Sequence, residues 1–199
     1  LVEHGIPLER LEARLRPLRG SRDLAEELRS HDGFADISIG GFLGVRESLL
    51  EVVYSDWLVV ERYGTGHQEI AAALEKAISA RKLPNQNYRL LYGMLTLGGQ
   101  TCPWECQSQY KRGINGFLIY DKKCHRKDIP DMLNMCYPGM TTPDDKSKAS
   151  ENRRASREEF AVVTEIHPHL IGEHYFFEGR ESPYRAEPRI LIEALGLAR

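Results

Sequence analysis

At 199 residues, with 41% hydrophobic and 28% charged residues, the chain has the composition of an ordinary globular protein, which excludes a fibrous repeat or wholesale disorder. A formal charge of −2 and a pI near 6.4 supply no general field for a phosphate backbone, so any nucleic-acid contact would have to come from a local basic region. No apolar run approaches the roughly 20 residues that span a bilayer, and four cysteines are too few for a disulfide scaffold. The expectation is a cytoplasmic chain, without a membrane partner, whose cysteines are thiols or metal ligands.

The opening LVEHGIPLERLEARL is charged and helix-like rather than a secretory leader. Leu8, Leu11, Leu15 and Leu18 recur at steps of three and four, placing them on one helical face, with Pro7 tolerated in the first turn and Gly20 as a stop. Ser21 offers a cap for a short second helix over 22–30. The glycines Gly33, Gly40, Gly41 and Gly44 mark residues 32–44 as a loop or hinge. From Val45 to Tyr63, the spacing of Val45, Leu49, Val53, Trp57 and Val60 predicts a helix ended by Gly64. Thr65 and Gln68 have capping-box spacing and start another, with Ile70, Leu74 and Ile78 inward. These helices make up a helical part over residues 1–82.

After Pro84 the period changes. Tyr88–Leu97, apolar on both faces, predicts a central strand; Gly116–Asp121 and Phe160–Ile166 predict two more. A capped helical turn is read between Asp128 and Gly139. Residues 141–157 have no apolar side chain larger than alanine and predict an exposed, mobile loop. His169–Phe177 and Pro188–Leu197 read as helices. The fold class is α+β: a helical N-terminal part, then a small part over 83–199 with about three strands and packed helices, the whole forming one compact unit.

The chemistry concentrates in two stretches, TCPWEC and HPHLIGEH. Cys102 and Cys106 follow a strand and a glycine turn, and His169 and His174 follow another strand; both spacings let a pair of ligands point at one tetrahedral ion. The set resembles that of a two-cysteine, two-histidine zinc finger in ligand geometry alone, because 62 residues separate Cys106 from His169 where a finger has about a dozen. Zinc is therefore the expected cofactor, against the alternative that the thiols are core residues and the imidazoles satisfied polar groups. Cys124, His125 and Cys136 are substitute ligands, although Cys124 and His125, as neighbours, diverge on regular backbone. HLIGEH differs by one residue from the zinc-protease helices, which moves its second histidine off the first one's face.

Other candidates are thinner. His67, in the turn YGTGHQE, sits where helix amides could hold an anion, though no phosphate-loop motif surrounds it. Arg180 and Arg185 could grip a carboxylate or phosphate, or pair with neighbouring glutamates. Arg153 and Arg154 before Ser156 form a phosphorylation-type site. Lys122, Lys123, Arg126 and Lys127 make a local basic region that nearby acids dilute. No complete catalytic constellation emerges. The expected function is a non-catalytic, zinc-stabilised interaction or regulatory domain with a protein partner. The alternatives are a metal-assisted hydrolase using Glu105, Glu165 or Glu173 as acid or base, and a nucleic-acid-binding protein using the basic region.

Overall fold

The computed structural model describes residues 5–16, 41–95, 102–104, 106, 115–123, 160–182 and 184–199. They form an α+β fold of five helices and three strands: α1 (Leu8–Leu15), α2 (Leu49–Arg62), α3 (His67–Ala80), β1 (Tyr88–Leu95), β2 (Asn115–Asp121), β3 (Phe160–Thr164), α4 (His167–His174) and α5 (Pro188–Ala194). The helix expected over 22–30, the turn between Asp128 and Gly139 and the loop 141–157 lie outside the described residues.

The sheet is an antiparallel meander in the order β1-β2-β3, with Leu90 opposite Ile119 and Phe117 opposite Val163. Among the described residues β2, not β1, is therefore central, which corrects the sequence expectation. The reason is pairing: β2 bonds to β1 on one side and β3 on the other, and Gly116 to Tyr120 of β2 are buried whereas Leu91 of β1 is exposed. The register slips between Tyr92 and Met94, so Gly93 is the extra residue of a bulge, a place where glycine is often found.

Two hydrophobic clusters follow from this arrangement. The larger is built on Phe117, Ile119, Ala161 and Val163 of the sheet, covered by Ile70 and Leu74 of α3 and by Ile190, Leu191 and Ile192 of α5. Glu193 fastens α5 in place: its carboxylate accepts the hydroxyls of Tyr63, at 2.7 Å, and Tyr88, while Asn85 donates to its carbonyl at 2.8 Å. The smaller cluster joins Leu11 and Leu15 of α1, Phe42, Leu43, Leu49 and Val52 to Trp104, Leu170 and Phe176. Here α1 is held from its C-terminal half. Glu12 accepts the Leu49 backbone N–H at 2.8 Å, serving an open donor of the first turn of α2, and Arg16 donates to the carbonyls of Gly44 at 2.8 Å and Glu47 at 3.1 Å.

Helix ends are partly as expected. Gly64, at φ +63°, ends α2 as predicted. Thr65 does not form the expected cap on α3; Gly66 is the N-cap residue, and the Thr65 hydroxyl instead donates to Glu69 at 2.9 Å. The inward face of α2 also differs. Leu49, Val52, Asp56 and Val60 are buried, while Trp57 remains 42% exposed and Val45, in a turn before the helix, 46%.

Asp56 explains that rotation. Arg185 grips its two oxygens at 2.6 and 3.1 Å and donates to Glu187 at 3.0 Å and to the Glu178 carbonyl. Burial pushes the Asp56 carboxyl up and works against the Arg185 charge. Asp56 and Glu187 more than offset this for Arg185, whose pKa rises above its ordinary value, and a guanidinium does not give up its proton, so the contact is an ion pair. Asp56→Ala strands that guanidinium and is expected to lower unfolding stability in urea by about 3–5 kcal/mol. Asp56→Leu combined with Arg185→Met should recover most of the loss.

Candidate metal centre

Each half of the site is set by local backbone. Cys102 and Cys106 flank a turn at Pro103 and Trp104, with Cys102 buried and Cys106 partly so. His169 lies in the first turn of α4, and His174 is its last residue, before Tyr175 ends the helix in the left-handed region at φ +57°. Five residues apart, the two histidines are about 140° out of phase on a helix. They converge because both present Nε2, the ring atom farthest from the backbone, and because a helical side chain leans back towards the N-terminus.

The result is a crowded point at His174 Nε2. Cys102 Sγ is 3.2 Å away, Cys106 Sγ 3.4 Å and His169 Nε2 3.3 Å, and all four ligand atoms lie within 4.8 Å of one another. One imidazole nitrogen offers a single proton or a single lone pair, so it cannot satisfy three partners by hydrogen bonding. A tetrahedral ion with nitrogen at about 2.0 Å and sulfur at about 2.3 Å would space its ligand atoms about 3.3–3.8 Å apart. Cys102, Cys106, His169 and His174 thus lie close together and could hold a metal ion.

The surroundings restrain the ligands. The Trp104 indole stacks on the His174 ring with centroids 4.2 Å apart and planes within 5°, and Phe176 meets Trp104 edge-on at 5.5 Å. Burial, and then the neighbouring Cys106, pushes the Cys102 thiol up to about 12, against hydrogen bonds from the backbone. Without a cation this sulfur stays protonated; a bound metal supplies the charge that a buried thiolate needs.

Under the start of α4 lies a second polar group. His167 Nδ1 accepts the Thr164 backbone N–H at 2.9 Å, which places the ring proton on Nε2, facing Glu178 Oε1 at 3.2 Å but off the hydrogen-bond line. Burial pushes the Glu178 carboxyl up, against the opposing influence of His167, Ser182 and Arg185. This histidine anchors α4 and is not among the four clustered ligands.

The remaining sequence candidates are placed differently. His67 opens α3 but is buried against the edge of Tyr175, at 4.7 Å, and beside Phe177. Burial lowers its pKa, so at neutral pH it is uncharged and offers an anion no ionic attraction. Arg185 spends four donors on Asp56, Glu187 and Glu178, so its role is structural. The Arg180 side chain is exposed, and its backbone N–H donates to Glu47 at 2.7 Å. Ser156, Glu105, Cys124, His125 and Cys136 lie outside the described residues. Sequence reading missed the Trp104 stack and the inward Asp56; the signal for Asp56 was a lone acid inside the apolar run of α2.

Set against protein-family models, curated proteins and solved structures, the chain matches none of them. The site must therefore be read from its own geometry.

Trp104→Ala removes a fully packed indole and is expected to lower stability by about 3–5 kcal/mol, measured by chemical unfolding. For His67, the depressed folded pKa means that the unfolded chain takes up a proton first as the pH falls below about 6.5. Stability from the neutral ring is fully present above that pH and is lost as the pH falls towards the folded pKa. In unfolding titrations the stability of the wild type relative to His67→Leu should therefore shrink on acidification.

Proposed function

We propose that this chain is a non-catalytic interaction or regulatory domain stabilised by one zinc ion. The observation that carries the reading is the completeness of the ligand set: two thiols and two imidazoles, from segments 62 residues apart, converge as four donors. Two sulfur and two nitrogen donors suit zinc and are foreign to the oxygen-seeking calcium and magnesium. A zinc ion with four protein ligands has no position for water, so it holds structure rather than performing hydrolysis. Cys102 belongs to the smaller core, and a zinc ion there would tie that core to α4.

One observation favours the hydrolase alternative. A cleft of about 380 Å³ between α3 and α4 is lined by His169, Glu75, Glu165 and Glu173, placing carboxylates beside one ligand. In that reading three of the four residues would hold the ion, leaving it a position for water, and Glu165 or Glu173 would serve as acid or base. The acidic lining gives the nucleic-acid alternative no help.

Elemental analysis of protein purified without chelator is expected to give about one zinc per chain, lost in Cys106→Ser and in His174→Ala. Chelation should lower the melting temperature, and restored zinc at 1,000 times its Kd should return about 4 kcal/mol. A metal-free wild type with unchanged stability would remove the zinc reading. Hydrolysis of model esters or peptides, abolished by Glu173→Gln with zinc retained, would favour the alternative.

A further inference from the structure

The side of α2 turned away from the core is apolar. Leu50, Tyr54, Trp57 and Leu58 fall at the spacing i, i+4, i+7, i+8 of one helical stripe and are 47%, 61%, 42% and 43% exposed. Tyr54 and Trp57 are already stacked, with centroids 6.0 Å apart and planes at 20°, so ordering them on contact costs little. Tyrosine and tryptophan are the residues most enriched where proteins meet.

The charges around the stripe say what fits it. Glu51 and Arg62 are both exposed and lie 11 residues, about three turns, apart on the same flank. We propose that this face is a self-association surface, on which a second copy of the chain packs its own α2 antiparallel about a two-fold axis level with Trp57. That symmetry brings each Glu51 to the Arg62 of the other copy, twice. It carries Tyr54 towards Leu58 of the second copy and brings the Trp57 rings together near the axis. It also moves Glu61, at the C-terminal end of the stripe, towards the positive N-terminal end of the opposite helix. A parallel arrangement would instead put the two copies of Glu51 level with each other on opposite flanks, where neither meets Arg62. The stripe offers on the order of 400 Å² per copy, about half of what a standard interface buries per partner. The dimer is therefore weak and concentration-dependent, with a Kd of roughly 10 μM to 1 mM. This inference rests on the reading of the chain as an interaction domain and is independent of the metal.

Sedimentation equilibrium on the full chain as purified, from about 5 μM to 1 mM, should show the mass rising from one chain towards two. Trp57→Glu, and separately Tyr54→Glu, should weaken association at least tenfold while leaving the circular dichroism spectrum unchanged, since both side chains are exposed. Glu51→Arg and Arg62→Glu should each weaken it severalfold, and the double exchange should restore it. A single-chain mass at every concentration overturns the proposal, as does a dimer indifferent to Trp57→Glu. Failure of the double exchange to rescue overturns the antiparallel pairing. Zinc content measured on the same samples reports separately on the metal reading.

Discussion

Three potential ligands stand within hydrogen-bonding distance of one atom, His174 Nε2, and neutral hydrogen bonding has no way to serve them all. A shared cation would resolve the conflict, turning mutual crowding of lone pairs into coordination. The side chains around this point come from distant parts of the smaller cluster. Cys102 and Trp104 come from the turn after β1, His174 ends α4, and the core they close also holds α1 and the start of α2.

The larger cluster is built by a sheet and four helices, and Glu193 is clamped by two tyrosine hydroxyls. Among the described residues the smaller one is a shorter list of side chains around Trp104 and Leu170, and small cores commonly rely on a metal or a disulfide to offset chain entropy. Its polar supports are of the same kind: Glu12 and Arg16 bind backbone groups around the start of α2, and Arg185 neutralises Asp56 on that helix's inner face. Ionic and polar contacts thus fix the orientation of elements whose apolar area is modest.

Where a pattern repeats locally, the sequence was readable. Leu11 and Leu15, Ile70 and Leu74, and the glycine stop at Gly64 occupy their expected places, and three strands occur where three were read. The four clustered ligands were readable for a similar reason, since paired cysteines and paired histidines at short spacing have few other uses in one neighbourhood. Rotation of α2 was not readable. Its apolar residues run around both sides, and only the long-range partner Arg185 decides that Asp56 goes in and Trp57 stays out. The position of β1 failed likewise: β1 is the longer apolar run, yet which strand sits between the others is set by pairing across distant sequence. For Arg185 itself, anion binding and structural pairing use identical chemistry, so only the position of Asp56 separates them.

Gly172 lies three residues after His169 and two before His174. A methyl group there would come within 3.1 Å of the Ala71 Cβ, and the Gly172 carbonyl accepts a hydrogen bond from Gln68 at 2.7 Å. Helix α4 therefore rides almost backbone to side chain on α3, with the two imidazoles mounted on either side of the contact point. Because α4 carries both imidazoles, a displacement of α3 at this contact would move the pair relative to the cysteine turn, and whatever held the pair against that turn would resist the displacement. By thermodynamic reciprocity, if the cysteine and histidine cluster holds an ion, an event on α3 and the affinity for that ion would be two readings of one coupling energy.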